Sequence, residues 1–194
     1  MYDPQTNRWT QVADIPTPRG DLMCASLNGL VYAIGGYYDS TNQFLANQFS
    51  FKNEVYDPRT NKWTTKAPML TARGDAGIAV LDNDRILVVG GEGHIRNDSN
   101  IKVPRHVNEV YYAVDDVWVQ KGMIPTARFR CGAADAGGLA FVFGGADLCP
   151  DGNLGCPAQT TVEVFLDVVH PRIYMYLKDQ PEESVDIPAG TNQI

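Results

Sequence analysis

The sequence predicts an all-β fold in which one short unit of strands repeats about every 54 residues, and three observations predict it. Positions 1–9 and 55–63 are identical at six of nine residues, and both carry a basic residue at the eighth position. A tyrosine followed seven residues later by a tryptophan recurs three times with this period. Short apolar runs rich in β-branched and aromatic residues each stop at a glycine doublet, which is typical of strands that end in turns.

Four landmarks of the repeat keep the same spacing along the chain. Successive tyrosines and tryptophans are 54 and 55 residues apart, and an arginine follows each tryptophan by ten residues. The landmarks are Tyr2, Tyr56 and Tyr111; Trp9, Trp63 and Trp118; Arg19, Arg73 and Arg128; and Gly35-Gly36, Gly90-Gly91 and Gly144-Gly145. A fourth unit starts on schedule at Glu163, but Arg172 stands where the next tryptophan is due. The pattern therefore indicates a repeat protein whose last unit diverges.

Each unit is expected to hold four strands separated by turns. The apolar runs before the glycine doublets are the candidates for buried inner strands. A fourth strand opens at Trp63, after a turn over 57–61 that contains Asp, Pro and Asn. The inner strands are expected at 30–34, 86–89 and 139–143, the strands before them at 21–27, 75–81 and 129–135, and a third strand at 53–56.

The four strands per unit, the glycine doublet, the Tyr–Trp spacing and the recurrent arginine resemble the Kelch repeat over about residues 1–168. The resemblance implies an all-β, Kelch-type β-propeller segment of about 3.5 four-stranded blades, which is incomplete as a ring. We expect units near 1–20, 21–74, 75–129 and 130–177, which together form one propeller segment over 1–177, and a polar tail or linker over 178–194. A fragment of a longer chain is favoured, and a homodimer that completes the ring or an open array covered by a partner are the alternatives.

The recurrent residue types of the repeat suit structural roles in such a propeller. Blades crowd at the central axis, so glycine is needed where another backbone comes close or where φ is positive. Tyrosine and tryptophan supply large apolar area between blades and a polar group that can reach the backbone. We therefore expect Trp9, Trp63, Trp118 and the six doublet glycines to be core residues.

An insertion of similar length follows each glycine doublet, at 37–52, 92–107 and 146–161. Loops of this length in a compact domain are usually functional or disordered. Equivalent positions of a repeat project on the same side, so the insertions are expected to form one binding face. Its candidate partner-binding residues are Tyr37, Tyr38, His94, Arg96 and Arg105.

The recurrent arginines are a second set of candidates. In Kelch-repeat substrate adaptors, arginines just before the first inner strand lie near the channel mouth and bind acidic peptides. By this resemblance Arg19, Arg73 and Arg128, with Arg130 close by, are partner-binding residues, since guanidinium groups bind carboxylates bidentately. The alternative is that each arginine bonds the carbonyls or carboxylates of a neighbouring blade, and both interpretations stay open.

Composition narrows the partners and the compartment. The formal net charge of −7 argues against a nucleic-acid partner. The sequence has no run of 18 apolar residues, so no membrane-spanning helix is expected. Cys24 and Cys131 stand in apolar contexts that suit buried thiols. A cytoplasmic location is expected, or a secreted one if Cys149 and Cys156 form a disulfide.

Binding is favoured over catalysis. The sequence contains no nucleophile elbow, phosphate loop or HExxH pattern, and no metal site or cofactor is expected. The expected function is a non-catalytic Kelch-repeat scaffold for protein–protein interaction, whose partner is a protein or an acidic peptide. The alternative is a fragment or remnant of a Kelch-containing copper oxidase similar to galactose oxidase. Such a site needs two tyrosines and two histidines, and the only histidines are His94, His106 and His170.

Overall fold

The computed structural model describes residues 1–38, 48–94, 102–147 and 158–166. Within these ranges all regular structure consists of antiparallel strands joined by turns, so the predicted all-β class is confirmed. None of the residues described forms a helix that could cross a membrane. The tail predicted at 178–194 lies outside these ranges.

The chain begins with a short hairpin of β1 (Tyr2–Asp3) and β2 (Arg8–Trp9), in which Tyr2 stands opposite Trp9. The Asp3 carboxylate accepts hydrogen bonds from the Gln5 amide and the Thr6 hydroxyl and so holds the turn. Asn7 ends the turn with φ of 52°, a left-handed conformation that Asn tolerates better than most residues.

The first complete blade is a four-stranded sheet preceded by a short strand, β3 (Arg19–Gly20). It contains β4 (Met23–Leu27), β5 (Leu30–Ile34), β7 (Asn53–Asp57) and β8 (Lys62–Lys66), in the order β4-β5-β7-β8. The strand β6 (Tyr37–Tyr38) leaves the sheet after the glycine doublet and pairs with β3. The predicted inner strand at 30–34 and the predicted third strand at 53–56 are therefore confirmed.

The second blade repeats this arrangement one period later. It contains β9 (Gly77–Val80), β10 (Arg85–Val89), β13 (Asn108–Tyr112) and β14 (Val117–Lys121), and an outlying hairpin of β11 (Glu92–His94) and β12 (Lys102–Pro104). Three strands of a third blade follow: β15 (Gly132–Ala136), β16 (Leu139–Phe143) and β17 (Val162–Leu166). No sheet closes on itself within the described ranges, in agreement with a partial propeller.

The core lies between blades, and β10 shows why the strand is apolar without alternation after its first residue, Arg85. All five of its residues are buried. Ile86 and Val88 belong to the apolar cluster shared with the first blade, whereas Leu87 and Val89 belong to the cluster shared with the third. Successive side chains of a strand point to opposite faces, so a blade with a neighbour on each side needs apolar residues at both parities.

The glycine doublets join one blade to the next by close backbone approach. Gly91 donates its N–H to the carbonyl oxygen of Arg128 in the following blade, at 2.8 Å, and Gly36 donates to Arg73 at 2.9 Å. A Cβ on Gly90 would lie 2.6 Å from that same Arg128 oxygen, and its φ is +64°. The doublet is therefore required both for its left-handed backbone and for the absence of a side chain.

A second joint, here called the tyrosine–tryptophan clamp, consists of a tyrosine, the Asn or Asp five residues later and the tryptophan two residues beyond. In the second blade Tyr111 donates to Asp116 at 2.7 Å, and Asp116 in turn accepts the Ala67 amide at 2.8 Å. The Trp118 indole N–H donates to the Ala67 carbonyl at 2.8 Å. The clamp of the first blade, Tyr56, Asn61 and Trp63, holds Ala13 by the same two backbone bonds.

The prediction that all three tryptophans are core residues is wrong for Trp9, which is 79% exposed, whereas Trp118 is 8% exposed. Trp63 and Trp118 are covered because each holds a segment of the preceding repeat through its indole N–H. The prediction of a buried thiol is confirmed for Cys131 and wrong for Cys24, which is exposed because alternate residues of β4 face away from the core.

Exchanging Asp116 for asparagine is expected to leave stability at pH 7 nearly unchanged, because Asn61 fills the same position in the first blade. Burial by itself raises the pKa of Asp116, but hydrogen bonds from Tyr111 and Ala67 outweigh it and hold the pKa below its usual 3.8. A carboxylate with a lowered pKa stabilises the fold above its unfolded-state pKa, and this contribution is lost as the pH falls through the folded-state value. Urea unfolding at pH 7 and at about pH 3 should therefore show a smaller acid loss for Asp116→Asn.

The reciprocal change, Asn61→Asp, is the matched control and should increase the acid loss. An acid loss that is equal in the parent chain and in Asp116→Asn would contradict the role given to this carboxylate.

Candidate functional site

Each recurrent arginine forms an ion pair with a glutamate of the third strand of its own blade. Both side chains of the first two pairs are buried, and the third arginine is buried beside a largely buried carboxylate. The N–O distances are 2.5 Å for Arg19–Glu54, 3.0 Å for Arg73–Glu109 and 2.9 Å for Arg128–Glu163. These three are called the Arg–Glu pairs below.

The middle pair shows which protein groups surround the two buried charges. Arg73 donates from one terminal nitrogen to Glu109 and from the other to the Val88 carbonyl at 3.2 Å. The second Glu109 oxygen accepts the Leu70 amide at 2.9 Å. Burial lowers the pKa of Arg73, and the Glu109 carboxylate opposes that shift. The pair therefore ties the segment that enters the blade to its second and third strands.

The other two pairs are built in the same way. Arg19 also donates to the carbonyls of Ala33 and Gly35, at 2.9 and 2.6 Å. Arg128 also donates to the Gly144 carbonyl at 2.9 Å and to the Thr161 hydroxyl at 2.7 Å. These contacts match the second interpretation of the arginines, with one correction. The carbonyls and carboxylates that they bond belong to the same blade and not to a neighbouring one.

The glutamates of these pairs were not singled out as site residues from the sequence, although a pattern could have identified them. Glu54, Glu109 and Glu163 follow one another at intervals of 55 and 54 residues, the period of the arginines. A charge of each sign repeating in register is what a buried ion pair in every unit requires.

Arg130 differs from the three recurrent arginines because its side chain is 62% exposed. Its guanidinium lies 3.1 Å from an Asp75 carboxylate oxygen and 5.3 Å from the centroid of the Phe129 ring. Its amide donates to the Asp75 carbonyl at 2.6 Å, and the Asp75 amide donates to the Asp21 carbonyl at 2.9 Å. Asp21, Asp75 and Arg130 each lie two positions after a recurrent arginine. Their backbone hydrogen bonds therefore connect one blade to the next.

The insertions leave the same end of each blade, as the strand registers show. In the first blade Ile34 pairs with Asn53 at the last position before the insertion. Val89–Asn108 is the corresponding pair of the second blade, and Phe143–Val162 is that of the third. The turns between the third and fourth strands lie at the opposite end, because antiparallel strands reverse direction.

The first two insertions also touch each other. Phe49 pairs with Tyr37 across the base of the first insertion, and the two rings are 5.1 Å apart with an edge-on geometry. On its other side the Phe49 ring meets His94 of the second insertion at 5.0 Å, again edge-on. The Arg105 guanidinium donates to the His94 carbonyl. The term insertion face denotes Tyr37, Phe49, His94 and Arg105 below, together with Arg130, whose neighbour Phe129 pairs with Ala146 at the start of the third insertion.

The remaining candidates are placed as follows. Tyr38 is buried, and its hydroxyl accepts a hydrogen bond from Ser50 at 3.2 Å, so only its neighbour Tyr37 reaches the surface. Phe129, beside Arg130, pairs with Ala146 at the start of the third insertion. Arg96 lies outside the described residues, as do Cys149, Cys156 and His170.

Metal-binding side chains do not gather in the part of the chain that the structure describes, where no group of three or more His, Cys, Asp or Glu could hold an ion. His106 is bonded through its Nδ1 to the Ile124 carbonyl at 2.9 Å. Burial raises the pKa of the Cys131 thiol, which keeps the sulfur protonated and unreactive near neutral pH.

Comparison with known proteins agrees with this geometry. A model of the Kelch motif matches residues 18–70, which run from the first recurrent arginine segment through the first blade. Beta-scruin from Limulus polyphemus is 30% identical over 165 residues, covering 84% of this chain and 17% of that protein. Kelch-like protein 36 from Bos taurus is 32% identical over 127 residues, covering 65% of this chain and 19% of that protein.

A third relative, Kelch-like ECH-associated protein 1A from Danio rerio, is 36% identical over 90 residues, covering 46% of this chain and 14% of that protein. The chain thus matches less than a fifth of the length of each of these relatives. The repeat landmarks, the four-stranded blades and the matching motif together show that the chain belongs to the Kelch-repeat family.

Proposed function

We propose that this chain is a non-catalytic scaffold that binds a partner protein through the insertion face. The observation that carries the proposal is the contact between Phe49 and His94, which joins two insertions of different blades into one surface. A scaffold of rigid sheets that presents loops at one end is the usual arrangement for binding sites on repeat proteins. The name of one relative, Kelch-like ECH-associated protein 1A, also describes an association with another protein.

The chemistry of the insertion face suits a protein partner. Tyr37 is half-buried, and its ring packs edge-on against Phe49. The ring is therefore held in place, and little side-chain entropy is lost when a partner binds. Arg130 is exposed and rests on the Phe129 ring. Tyrosine and arginine are the residue types that most often dominate binding energy in protein interfaces.

Fewer arginines are available to bind an acidic peptide than the sequence predicts. Arg19, Arg73 and Arg128 are already neutralised by their glutamates, and their burial keeps a ligand away from them. We propose that these three arginines position the insertion face and that Arg130 meets an acidic group of the partner. Two free thiols in the described residues suit a reducing compartment, and we propose a cytoplasmic location.

Photo-cross-linking tests this function. A benzoylphenylalanine at position 37 of the full chain should give a discrete adduct with one partner in an extract of cells that express the chain. Placed at Arg59, whose side chain is 86% exposed at the opposite end of the first blade, the same probe should not give that adduct. Arg130→Glu should reduce the position 37 adduct at least tenfold, because it places like charges opposite each other.

Equal adducts from positions 37 and 59, or an adduct insensitive to Arg130→Glu, would overturn the assignment of binding to the insertion face. The variants are compared at matched folded fractions, measured by far-ultraviolet circular dichroism, so that a loss of adduct reports on binding.

A further inference from the structure

The outer strand of the second blade, β14, exposes apolar side chains where the outer strand of the first blade is polar. Its first and third residues, Val117 and Val119, are 43% and 39% exposed. One period earlier β8 carries Lys62 and Thr64 at the corresponding positions, and both are exposed. The turn before β14 adds Val114, which is 81% exposed. Three exposed valines therefore mark the rim of the second blade.

The two valines of β14 continue the core between the second and third blades outwards to the surface. Val119 stands opposite Val110, which belongs to that core, and Val117 stands opposite Tyr112, which packs against it. Directly opposed residues of antiparallel strands lie on the same face of a sheet. In the first blade the same row ends in Thr64 and so becomes polar at the edge. The core face of the second blade stays apolar up to its edge.

A complete neighbouring blade leaves this row exposed. All four strands of the second blade are described, and Lys62 and Thr64 on the blade before it are nonetheless exposed. Corresponding positions of a repeat have corresponding environments. A four-stranded third blade would therefore leave Val117 and Val119 open to solvent as well.

The backbone of β14 is also open along one side. The strand stands at the end of its sheet and pairs with β13, and no strand of the described ranges pairs with its other side. Natural proteins protect such edges with charged residues, lysine above all. β8 has a lysine at both ends, Lys62 and Lys66, whereas β14 begins with Val117 and has a lysine only at its end, Lys121. The edge of β14 is the less protected of the two.

We propose that the outer edge of β14 binds an extended segment of a partner protein, which adds a fifth strand to the second blade and covers Val117 and Val119. Successive side chains of a strand point to opposite faces, so the segment has an apolar residue at every second position. Its backbone hydrogen bonds supply affinity, and its alternate side chains supply specificity. This surface is separate from the insertion face.

The length and the charges of the edge indicate a segment of this kind and not a second copy of the chain. Five residues of strand extend over about 17 Å. A contact between two rigid edges of that length is much smaller than the roughly 1,200 Å² that stable protein pairs bury. Asp115 is exposed just before β14, and Lys121 ends the strand. An antiparallel segment is therefore expected to begin with an acidic residue and to end with a basic one.

A direct test uses the acetylated and amidated peptide Glu-Val-Thr-Val-Thr-Lys as the probe. It is added to the full ¹⁵N-labelled chain, and the backbone amide signals are followed by NMR. The signals of β14 should shift progressively and saturate at millimolar peptide, whereas those of β8 should stay fixed. The peptide Glu-Val-Val-Thr-Thr-Lys has the same composition without the alternation and should bind at least tenfold more weakly.

Two exchanges between the blades isolate the valines. Val117→Lys with Val119→Thr gives β14 the residues of β8 and should weaken binding at least tenfold. The reciprocal change, Lys62→Val with Thr64→Val, should produce peptide-dependent shifts in β8. Each new residue type already occupies the exposed position of the other blade, so both variants are expected to fold.

Backbone pairing is tested apart from side-chain contact. Two further peptides carry N-methyl groups either on both valines or on both threonines. Successive N–H groups of a strand point to opposite edges, so only one of these peptides loses the donors that face β14. The two affinities should differ at least tenfold, and equal affinities would overturn the proposal.

Signals of β14 that do not move at millimolar peptide would also overturn the proposal, as would equal binding of the peptide without alternation. Shifts of the same signals with protein concentration alone would assign the edge to a second copy. Slow hydrogen exchange at every amide of β14 before peptide is added would show that the chain itself covers the edge, because pairing with β13 alone protects alternate amides. Either result would contradict a partner segment.

The two binding proposals can fail independently. β14 shares no residue with the insertion face, so Arg130→Glu should leave peptide binding at β14 unchanged. Val117→Lys with Val119→Thr should in turn leave the cross-link at position 37 unchanged.

Discussion

Replacing Arg73 by methionine is expected to destabilise the chain by about 3–5 kcal/mol, because it leaves the Glu109 carboxylate buried without its counter-charge. Both side chains of this pair are fully buried, and of the partners of Glu109 among the described residues the Leu70 amide remains after the change. Methionine keeps most of the side-chain length, so the loss reports on charge more than on packing. Urea unfolding followed by circular dichroism measures the loss.

The double variant Arg73→Met with Glu109→Leu distinguishes the cost of losing the ion pair from the cost of leaving one charge buried alone. Removing both charges should cost less than removing one, because no isolated charge stays buried. Arg59→Met is the matched control, since Arg59 faces solvent in its ion pair with Asp57 and should show no measurable change. A single variant as stable as the double one would contradict the structural role assigned to the Arg–Glu pairs.

Gly90→Ala is expected to cost about 3 kcal/mol, from a left-handed backbone that disfavours any Cβ and from a collision with the next blade. The new Cβ would lie 2.6 Å from the Arg128 carbonyl oxygen, which also accepts the Gly91 amide. Because the obstacle is backbone, it moves only if the second and third blades separate. Urea unfolding measures the cost, and loss of near-ultraviolet circular dichroism would report the separation.

Gly29→Ala is the control for the conformational part of this cost. Gly29 also has a positive φ, of 75°, but a Cβ there would meet no atom within 4 Å. Gly29→Ala should lower the free energy of unfolding by about 1 kcal/mol, the cost of the left-handed conformation alone. If the two variants lost equal stability, the close approach between blades would not be what selects the glycine doublet.

The positions of the strands could be predicted because the information is local and is repeated in register. The apolar run at 30–34, the doublet Gly35-Gly36 and the Tyr56–Trp63 spacing each mark an element within one unit. The structure confirms the inner strands, and the registers place the three insertions at one end of their blades. A feature that recurs three times at one spacing is rarely a chance match, so each copy supports the assignment of the others.

The direction in which a charged side chain points could not be predicted in this way. The position of Arg73 before an inner strand is compatible with a channel mouth and with a buried pair, and only its partner decides between them. That partner, Glu109, is 36 residues away in sequence and 3.0 Å away in space. The prediction that Trp9 is buried was wrong for the same reason. The burial of such a tryptophan depends on a segment one repeat away and not on its neighbours in sequence.

The two kinds of joint in this chain differ in where they place their partners, and this bears on how such arrays grow by gene duplication. Each Arg–Glu pair closes within one blade and the segment that enters it, so a duplicated or deleted stretch that starts before the arginine brings or removes both charges together. Such a stretch leaves no buried charge unmatched. The clamps and glycine doublets bond the adjoining unit instead, and any change in number leaves them to be satisfied at the two ends. Electrostatics therefore permits the number of units to change, and the backbone contacts at the ends select which numbers persist.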